Sequence, residues 1–344
     1  MKKEVRKAEI LLDYAPLIDA PPVAPAQLHQ KACQNDFTTI SAWLDIWLGN
    51  IKANHERFGD FKENGVGKLF GKFSHSPVIV AGSGPSLKRN AHILKDRNKD
   101  MNVISCLHNF HYFEDLDVDI DFYVTLDSGP IVIDEVSIGG KQSEDWYWER
   151  SKDKKLIAYI GSDPKLFEKW QGEVYFFNCP INNESISELS KELEFHTYVG
   201  TGGNVLGAST YLAKAIFGGN PIIFIGADFS FANYDVEKPM FHAWDSDYDK
   251  EIGYTVGMVD IFGNRCKSWP SYANFKAWFD YVVTVVPGLW INCTEGGTLG
   301  AYSEGVLRQC PPMDLKDCLR MYDMFGEMRD QCVDPATKDK KLLF

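Results

Sequence analysis

The sequence predicts an α/β fold, a Rossmann-like and mostly parallel sheet with helices on both faces. A helical N-terminal extension precedes the sheet, and a long polar insertion follows the strand that ends at Asp228. Three observations predict this. Short apolar runs rich in Val, Ile, Phe and Tyr recur through the middle of the chain. Helix-length segments separate them, as in repeated βαβ units. A glycine turn directly after the first run opens a helix, the arrangement of sheets that bind ligands at their strand ends.

The elements follow in order. Residues 14 to 26 carry Pro16, Pro21, Pro22 and Pro25, which read as an extended arm. Asp36 is placed to cap a helix running to about Phe58, in which Ile40, Trp43, Leu44, Trp47, Leu48 and Ile51 repeat with helical period. PVIVAG (77–82) is the first buried strand, followed by a helix to about Lys95. NVISCL (102–107), DFYVTLD (121–127), KLIAYIG (155–161) and EVYFFN (173–178) are further strands. A helix from about Gly203 to Phe217 leads into the strand PIIFIGAD (221–228). Residues 229–270 are polar, aromatic and punctuated by glycine, as in a long loop or small hairpin. A helix near 271–285, a strand LWINC (289–293) and a helical tail from Pro311 complete the pattern. The expected organisation is an extended arm and helical entry segment over 1–75, a nucleotide-binding domain over 76–310 and a helical tail over 311–344.

Composition narrows the function. Hydrophobic residues make up 44% and charged residues 24% of the 344, which excludes a chain disordered throughout. Against 36 Lys and Arg stand 48 Asp and Glu, a net charge of −12, so nucleic-acid binding is not expected. No apolar run approaches the roughly 18 residues that a membrane-spanning helix needs. The first residues, MKKEVRKAEILLDYAP, lack the apolar core of a signal peptide. Eight scattered cysteines without a CxxC pair read as reduced thiols, and the chain is expected to be cytoplasmic.

The sharpest local signal is Gly82-Ser83-Gly84-Pro85-Ser86, set directly after a buried strand. Glycines there let the backbone turn tightly and approach a ligand, and the following helix start offers unpaired N–H groups to a phosphate. The run is neither a Walker A loop nor a full GxGxxG. A purely structural strand-to-helix turn remains an equal alternative on pattern alone. A second turn, Gly200-Thr201-Gly202-Gly203-Asn204, precedes another helix and offers the same physics. Two such turns on one sheet point to a nucleotide or other anionic ligand.

Asp127 and Asp228 each end an apolar strand and are expected to face one cleft, holding Mg²⁺ against phosphates or binding ribose hydroxyls. The alternative is that each caps a turn. His242, in the polar insertion, is a candidate proton acceptor, with His108 and His111 nearby in sequence to a second strand end. Asn109 is placed to read a base or sugar, and Glu295-Gly296-Gly297 forms another flexible turn at the same rim. Phe229, Phe231, Tyr234, Phe241 and Trp244 offer rings for stacking, although core packing explains such residues as well.

These motifs together resemble a known group. VIVAGSGPSLKRN, YVTLDSG and GTGGNVLGAS followed by NPIIFIGADFSF are similar to the domain shared by the Maf flagellin glycosyltransferases and the MptE-type 6-hydroxymethylpterin diphosphokinases. The resemblance runs from about Asn50 to Leu307. INCTEGGTLGA (291–301) and the position of His242 lean to the Maf side, and the GxGPSL loop resembles that of bacterial sialyltransferases using CMP-sialic acid. Where the Maf strand continues as DLAY, this chain has Asp228-Phe229-Ser230-Phe231.

The resemblance implies a nucleotide-dependent transferase, foremost a glycosyltransferase that uses a CMP- or other nucleotide-activated sugar of the nonulosonic type. Its nucleotide site would comprise Gly82, Ser83, Gly84, Pro85, Ser86 and Asn109, with Thr201, Gly202, Gly203, Asn204, Glu295, Gly296 and Gly297. Catalysis would rest on His242, Asp228 and Asp127. Such an enzyme would need no cofactor, and its partners would be the nucleotide-sugar donor and an acceptor, whether glycan, protein hydroxyl or small alcohol. The alternative is an ATP-dependent diphosphokinase acting on 6-hydroxymethylpterin or a similar alcohol, with Mg²⁺ held by Asp127 and Asp228. A nucleotide-binding module without turnover is the third reading.

Overall fold

The structure is a computed structural model that describes residues 25–232, 240–244 and 254–331. Its strands are β1 (Val78–Ala81), β2 (Asn102–Cys106), β3 (Phe122–Thr125), β4 (Lys155–Tyr159), β5 (Glu173–Phe177), β6 (Ile222–Ile225), β7 (Val256–Val259), β8 (Arg265–Ser268) and β9 (Trp290–Asn292), with two-residue strands β10 (Ala301–Tyr302) and β11 (Gly305–Val306) after them. Seven of these form one sheet in the order β5-β4-β3-β2-β1-β6-β9. Every neighbouring pair in it is parallel. All residues of β1, β3 and β6 are buried, so both faces of the sheet are covered. This is the predicted α/β fold.

The strand order carries the functional consequence. The chain lays down β1 to β5 in one direction, then returns to place β6 on the other side of β1. The order therefore reverses between β1 and β6, and in open parallel sheets a crevice opens beyond the strand ends at that point.

The helices are α1 (Pro25–Phe58), α2 (Leu87–Asn90), α3 (Phe110–Asp115), α4 (Ile131–Glu135), α5 (Glu144–Arg150), α6 (Pro164–Lys169), α7 (Glu184–Glu192), α8 (Val205–Tyr211), α9 (Pro270–Val285) and α10 (Leu315–Gln331). Three boundaries differ from the sequence reading. Helix α1 starts at Pro25 rather than after Asp36, because proline at the first helical position lacks only an N–H that would be unpaired anyway. The predicted extended arm falls mostly outside the described residues. The predicted helix after Ser86 is a single α-turn, α2, continued as a 3₁₀ stretch over 91–96. The predicted 203–217 helix starts at Val205 and ends in a π-turn over 212–216. The polar insertion contains the hairpin β7–β8.

Helix α1 braces the strand ends. Asn54, fully buried, donates from Nδ2 to the carbonyls of Ile160 and Ser162, both at 2.9 Å. Asn50 donates to Ser128 O at 2.9 Å and Gly161 O at 3.0 Å. The loops that leave β3 and β4 are thus tied to one helix face, which satisfies carbonyls that would otherwise be buried unpaired. On the far side, buried Asp280 of α9 accepts from Gly300 N at 2.8 Å and pairs with Lys276 at 2.5 Å, fixing the 300s loop. Among the residues whose side chains are described, Cys106, Cys179, Cys266, Cys293, Cys310 and Cys318 are free thiols. Among the described residues no helix is long and apolar enough to cross a membrane.

Candidate functional site

A cavity of about 300 Å³ opens at the reversal between β1 and β6. The two strand ends reach it through glycine. Gly82, after β1, and Gly226, after β6, lie back to back, and a Cβ on Gly226 would stand 2.6 Å from Gly82 O. A Cβ on Gly82 would overlap Gly226 O in turn, so neither position tolerates a side chain. The hydrogen bonds Gly82 N to Ile225 O and Gly84 N to Gly226 O, both 2.9 Å, extend the parallel pairing into the turns.

The two predicted glycine turns meet at this cavity. From the first, Gly82, Ser83 and Gly84 line it, and from the second, Asn204 with Val205 and Leu206 of α8. Asn204 caps α8 by accepting from Gly207 N at 2.8 Å. That leaves the N–H groups of Val205 and Leu206, like that of Ser83, without a hydrogen-bond acceptor among the described residues. Unpaired amides at a helix start favour an anion.

Asp228 departs from the expected role. Its carboxylate is 5% exposed and accepts from Ser86 Oγ at 2.7 Å and Ser86 N at 3.2 Å. The amide that sequence reasoning reserves for a phosphate is therefore filled by an aspartate of this chain, and Ser86 faces Asp228 rather than the cavity. Burial pushes the Asp228 carboxyl up to about 7, a rise that the Ser86 bonds and the nearby Arg89 oppose. Asp228 still lines the cavity, so its role joins the two.

Asp127 lines the same cavity from the end of β3, and burial pushes its carboxyl up. Beside it stands Glu135, the last residue of α4, which the sequence pattern gives no means to single out. Burial, then the charges of Asp127 and Asp134, push Glu135 up to about 8. Cys106, at the end of β2, also reaches the cavity, and burial with these carboxyls pushes its thiol up to about 12. It is no thiolate nucleophile near neutral pH.

His242 and His108 also line the cavity, with ring centroids 4.5 Å apart. Trp244 stacks parallel on His242 at 4.7 Å and packs edge-on against His111 at 4.7 Å. His111 is fully buried with neither ring nitrogen hydrogen-bonded among the described residues, and burial pushes it down to about 4. Phe229 and Phe241 line the cavity, whereas Phe231 lies in a smaller hollow and Trp244 in its own socket; Tyr234 lies outside the described residues.

Several expected contacts serve the scaffold instead. Asn109 is fully buried and donates to Gly82 O and Ser105 Oγ, both at 2.9 Å, so it holds the first turn from behind. Glu295 accepts from Leu315 N at 3.0 Å and Asn90 Nδ2 at 3.2 Å, which anchors α10. Gly296 and Gly297 wrap Asp228 and, with Pro85 and Ser86, line the smaller hollow of about 30 Å³. Thr201, Gly202 and Gly203 shape the second turn without lining the cavity; Gly202 and Gly203 adopt positive φ of 57° and 86°.

As to a metal, among the described residues no group of three or more His, Cys, Asp or Glu side chains is spaced to hold one. Asp127 has an oxygen pair without a donor among them, and Asp228 shares both oxygens with Ser86. Two carboxylates suit magnesium only where substrate phosphates complete its shell.

The fold is similar to that of the Maf glycosyltransferase from Magnetospirillum magneticum AMB-1, with a TM-score of 0.53 and 17% identity. The likeness covers 79% of this chain and 42% of that protein, so the chain spans less than half its relative's length. At that identity the likeness concerns the fold. No curated protein matches the sequence. The profile of the 6-hydroxymethylpterin diphosphokinase MptE-like proteins matches residues 50–234, more than half of the chain and every part of the cavity from Gly82 to Ser230. The chain belongs to this MptE-like family.

Proposed function

We propose that the chain is a nucleotide-dependent transferase that uses a nucleotide-activated sugar, of the CMP-linked nonulosonic type, in the cavity between β1 and β6. One observation carries the reading: both glycine turns open onto one cavity at the point of strand reversal, where the N–H groups of Ser83, Val205 and Leu206 have no acceptor among the described residues. These amides would receive the donor phosphate. An acceptor oxygen would attack the anomeric carbon as the bond from that carbon to the phosphate oxygen breaks, the electron pair leaving with the nucleotide. The acceptor proton would pass to His242, and backbone N–H groups would stabilise the departing phosphate charge. The acceptor would be a glycan, a protein hydroxyl or a small alcohol.

A second reading has its own support. The cavity wall carries Asp127, Glu135 and Asp228 but, among the described residues, neither Lys nor Arg. A polyphosphate entering this site would meet no Lys or Arg among the described lining residues, so its charge would need another cation. This favours an ATP-dependent diphosphokinase, in which Asp127 would be the principal magnesium ligand and Asp228 the second. Magnesium, when bound, would offset the phosphate charge.

A thermal-shift panel of CMP, CDP, UDP, GDP, ATP and AMP, each with magnesium or with EDTA, separates the readings. A ligand at 100 times its Kd stabilises a fold by about 2.7 kcal/mol. A CMP-selective shift that survives EDTA supports sugar transfer. A shift by ATP that EDTA abolishes supports the kinase. Binding without turnover of any activated sugar or alcohol acceptor would leave a binding module.

A further inference from the structure

We propose that Glu135 is a specificity-determining residue of this cavity, which together with Asp127 receives the ribose diol of the nucleotide. The inference rests on the sugar-transfer reading, in which Asp127 holds no magnesium, and names what a second wall of the same site binds.

The geometry carries it. Asp127 leaves β3 and Glu135 ends α4, and both face the one cavity. Neither carboxyl has a hydrogen-bond donor or an ion-pair partner among the described residues. Both are half-buried, and because burial and its acidic neighbours raise Glu135 to about 8, the pair offers carboxyl oxygens as acceptors and one retained proton as a donor near neutral pH. A phosphate placed there would meet two carboxyl groups and, among the described residues, no Lys or Arg of the cavity wall. A vicinal diol would instead donate one O–H to Asp127 and accept the Glu135 proton at its other oxygen.

The spacing agrees. The order β3-β2-β1 sets two strand intervals between Asp127 and Ser83, about 10 Å at the usual strand separation. With a hydrogen bond at each end, a nucleotide bridges such a span from its phosphate to its ribose hydroxyls. The wall is also firmly built. Asp127 N donates to Thr125 Oγ1 at 3.2 Å, Asn50 holds Ser128 O, and the Trp43 ring packs against Gly129. Glu135 is therefore presented against a fixed partner rather than on a loose loop.

The test is calorimetric titration with the pairs CMP and dCMP, and ATP and dATP, alongside inorganic pyrophosphate. Wild-type protein should bind the ribonucleotide at least tenfold more tightly than its 2′-deoxy counterpart. In Glu135→Leu, and in Asp127→Asn, that ratio should fall below threefold while pyrophosphate affinity stays within twofold. The wild-type comparison stands even if a variant does not fold. Equal binding of ribo and deoxy forms by the wild type, or an unchanged ratio in Glu135→Leu, overturns the inference and leaves the nucleotide reading intact. Binding of none of the four nucleotides removes the nucleotide reading, and the role assigned to Glu135 with it.

Discussion

Replacing Ser86 by alanine tests how the first glycine turn is used. The Ser86 hydroxyl lies 2.7 Å from an Asp228 oxygen, and both residues are buried, at 4% and 5% exposure. Ser86→Ala removes this bond and leaves the carboxylate with the longer bond from Ser86 N at 3.2 Å. A hydrogen bond to a charged group contributes about 1.5–3 kcal/mol, so a loss of about 2 kcal/mol is expected where Asp228 is ionised. For a chain of this size that lowers Tm by about 3 °C. The sign of its pH dependence follows from the burial that raises Asp228 to about 7. An unfolded aspartate ionises near 3.9, so between about pH 4 and 7 the unfolded chain binds fewer protons and stability falls as pH rises. The serine bond stabilises the ionised form, so its loss should cost more at pH 8 than at pH 5. Urea unfolding at both values measures this. A change below about 0.5 kcal/mol at pH 8, together with weakened nucleotide binding, would refute the assignment and return Ser86 to the ligand.

Gly82→Ala places a Cβ on Gly226 O and should cost about 3 kcal/mol by overpacking, with loss of the nucleotide-induced thermal shift. Asn204→Ala removes the cap of α8 and should lower stability by about 1 kcal/mol in denaturant titration. His111 is held neutral down to about pH 4, whereas an unfolded histidine takes a proton near 6.5. Between those values the unfolded chain binds more protons, so stability falls as pH falls, by up to about 3 kcal/mol. His111→Phe should flatten that slope in thermal scans between pH 6.5 and 4.

The sheet was legible because its strands are buried on both faces and therefore read as unbroken apolar runs, as at Val78–Ala81 and Ile222–Ile225. The glycine turns were legible from their residue types alone, and the structure adds a further reason for Gly82 in its contact with Gly226. Direction was harder. Nothing in the string GSGPS says whether the Ser86 amide meets a ligand or an aspartate 142 residues away. Asn109 and Glu295 have the composition of binding residues but spend their hydrogen bonds on Gly82 and Leu315. Glu135 was invisible because α4 is only five residues long, too short for a periodic pattern to mark one face. Each of these depends on which distant element the chain folds against, which local pattern does not encode.

The most direct measurement is a crystal structure of the chain with a bound nucleotide, CMP or ATP with magnesium, whichever shifts Tm further. The account predicts a phosphate within hydrogen-bond distance of the Ser83, Val205 and Leu206 amides, with Ser86 still bonded to Asp228. A nucleotide seated on another surface, or a phosphate that displaces Asp228 from Ser86, would contradict it.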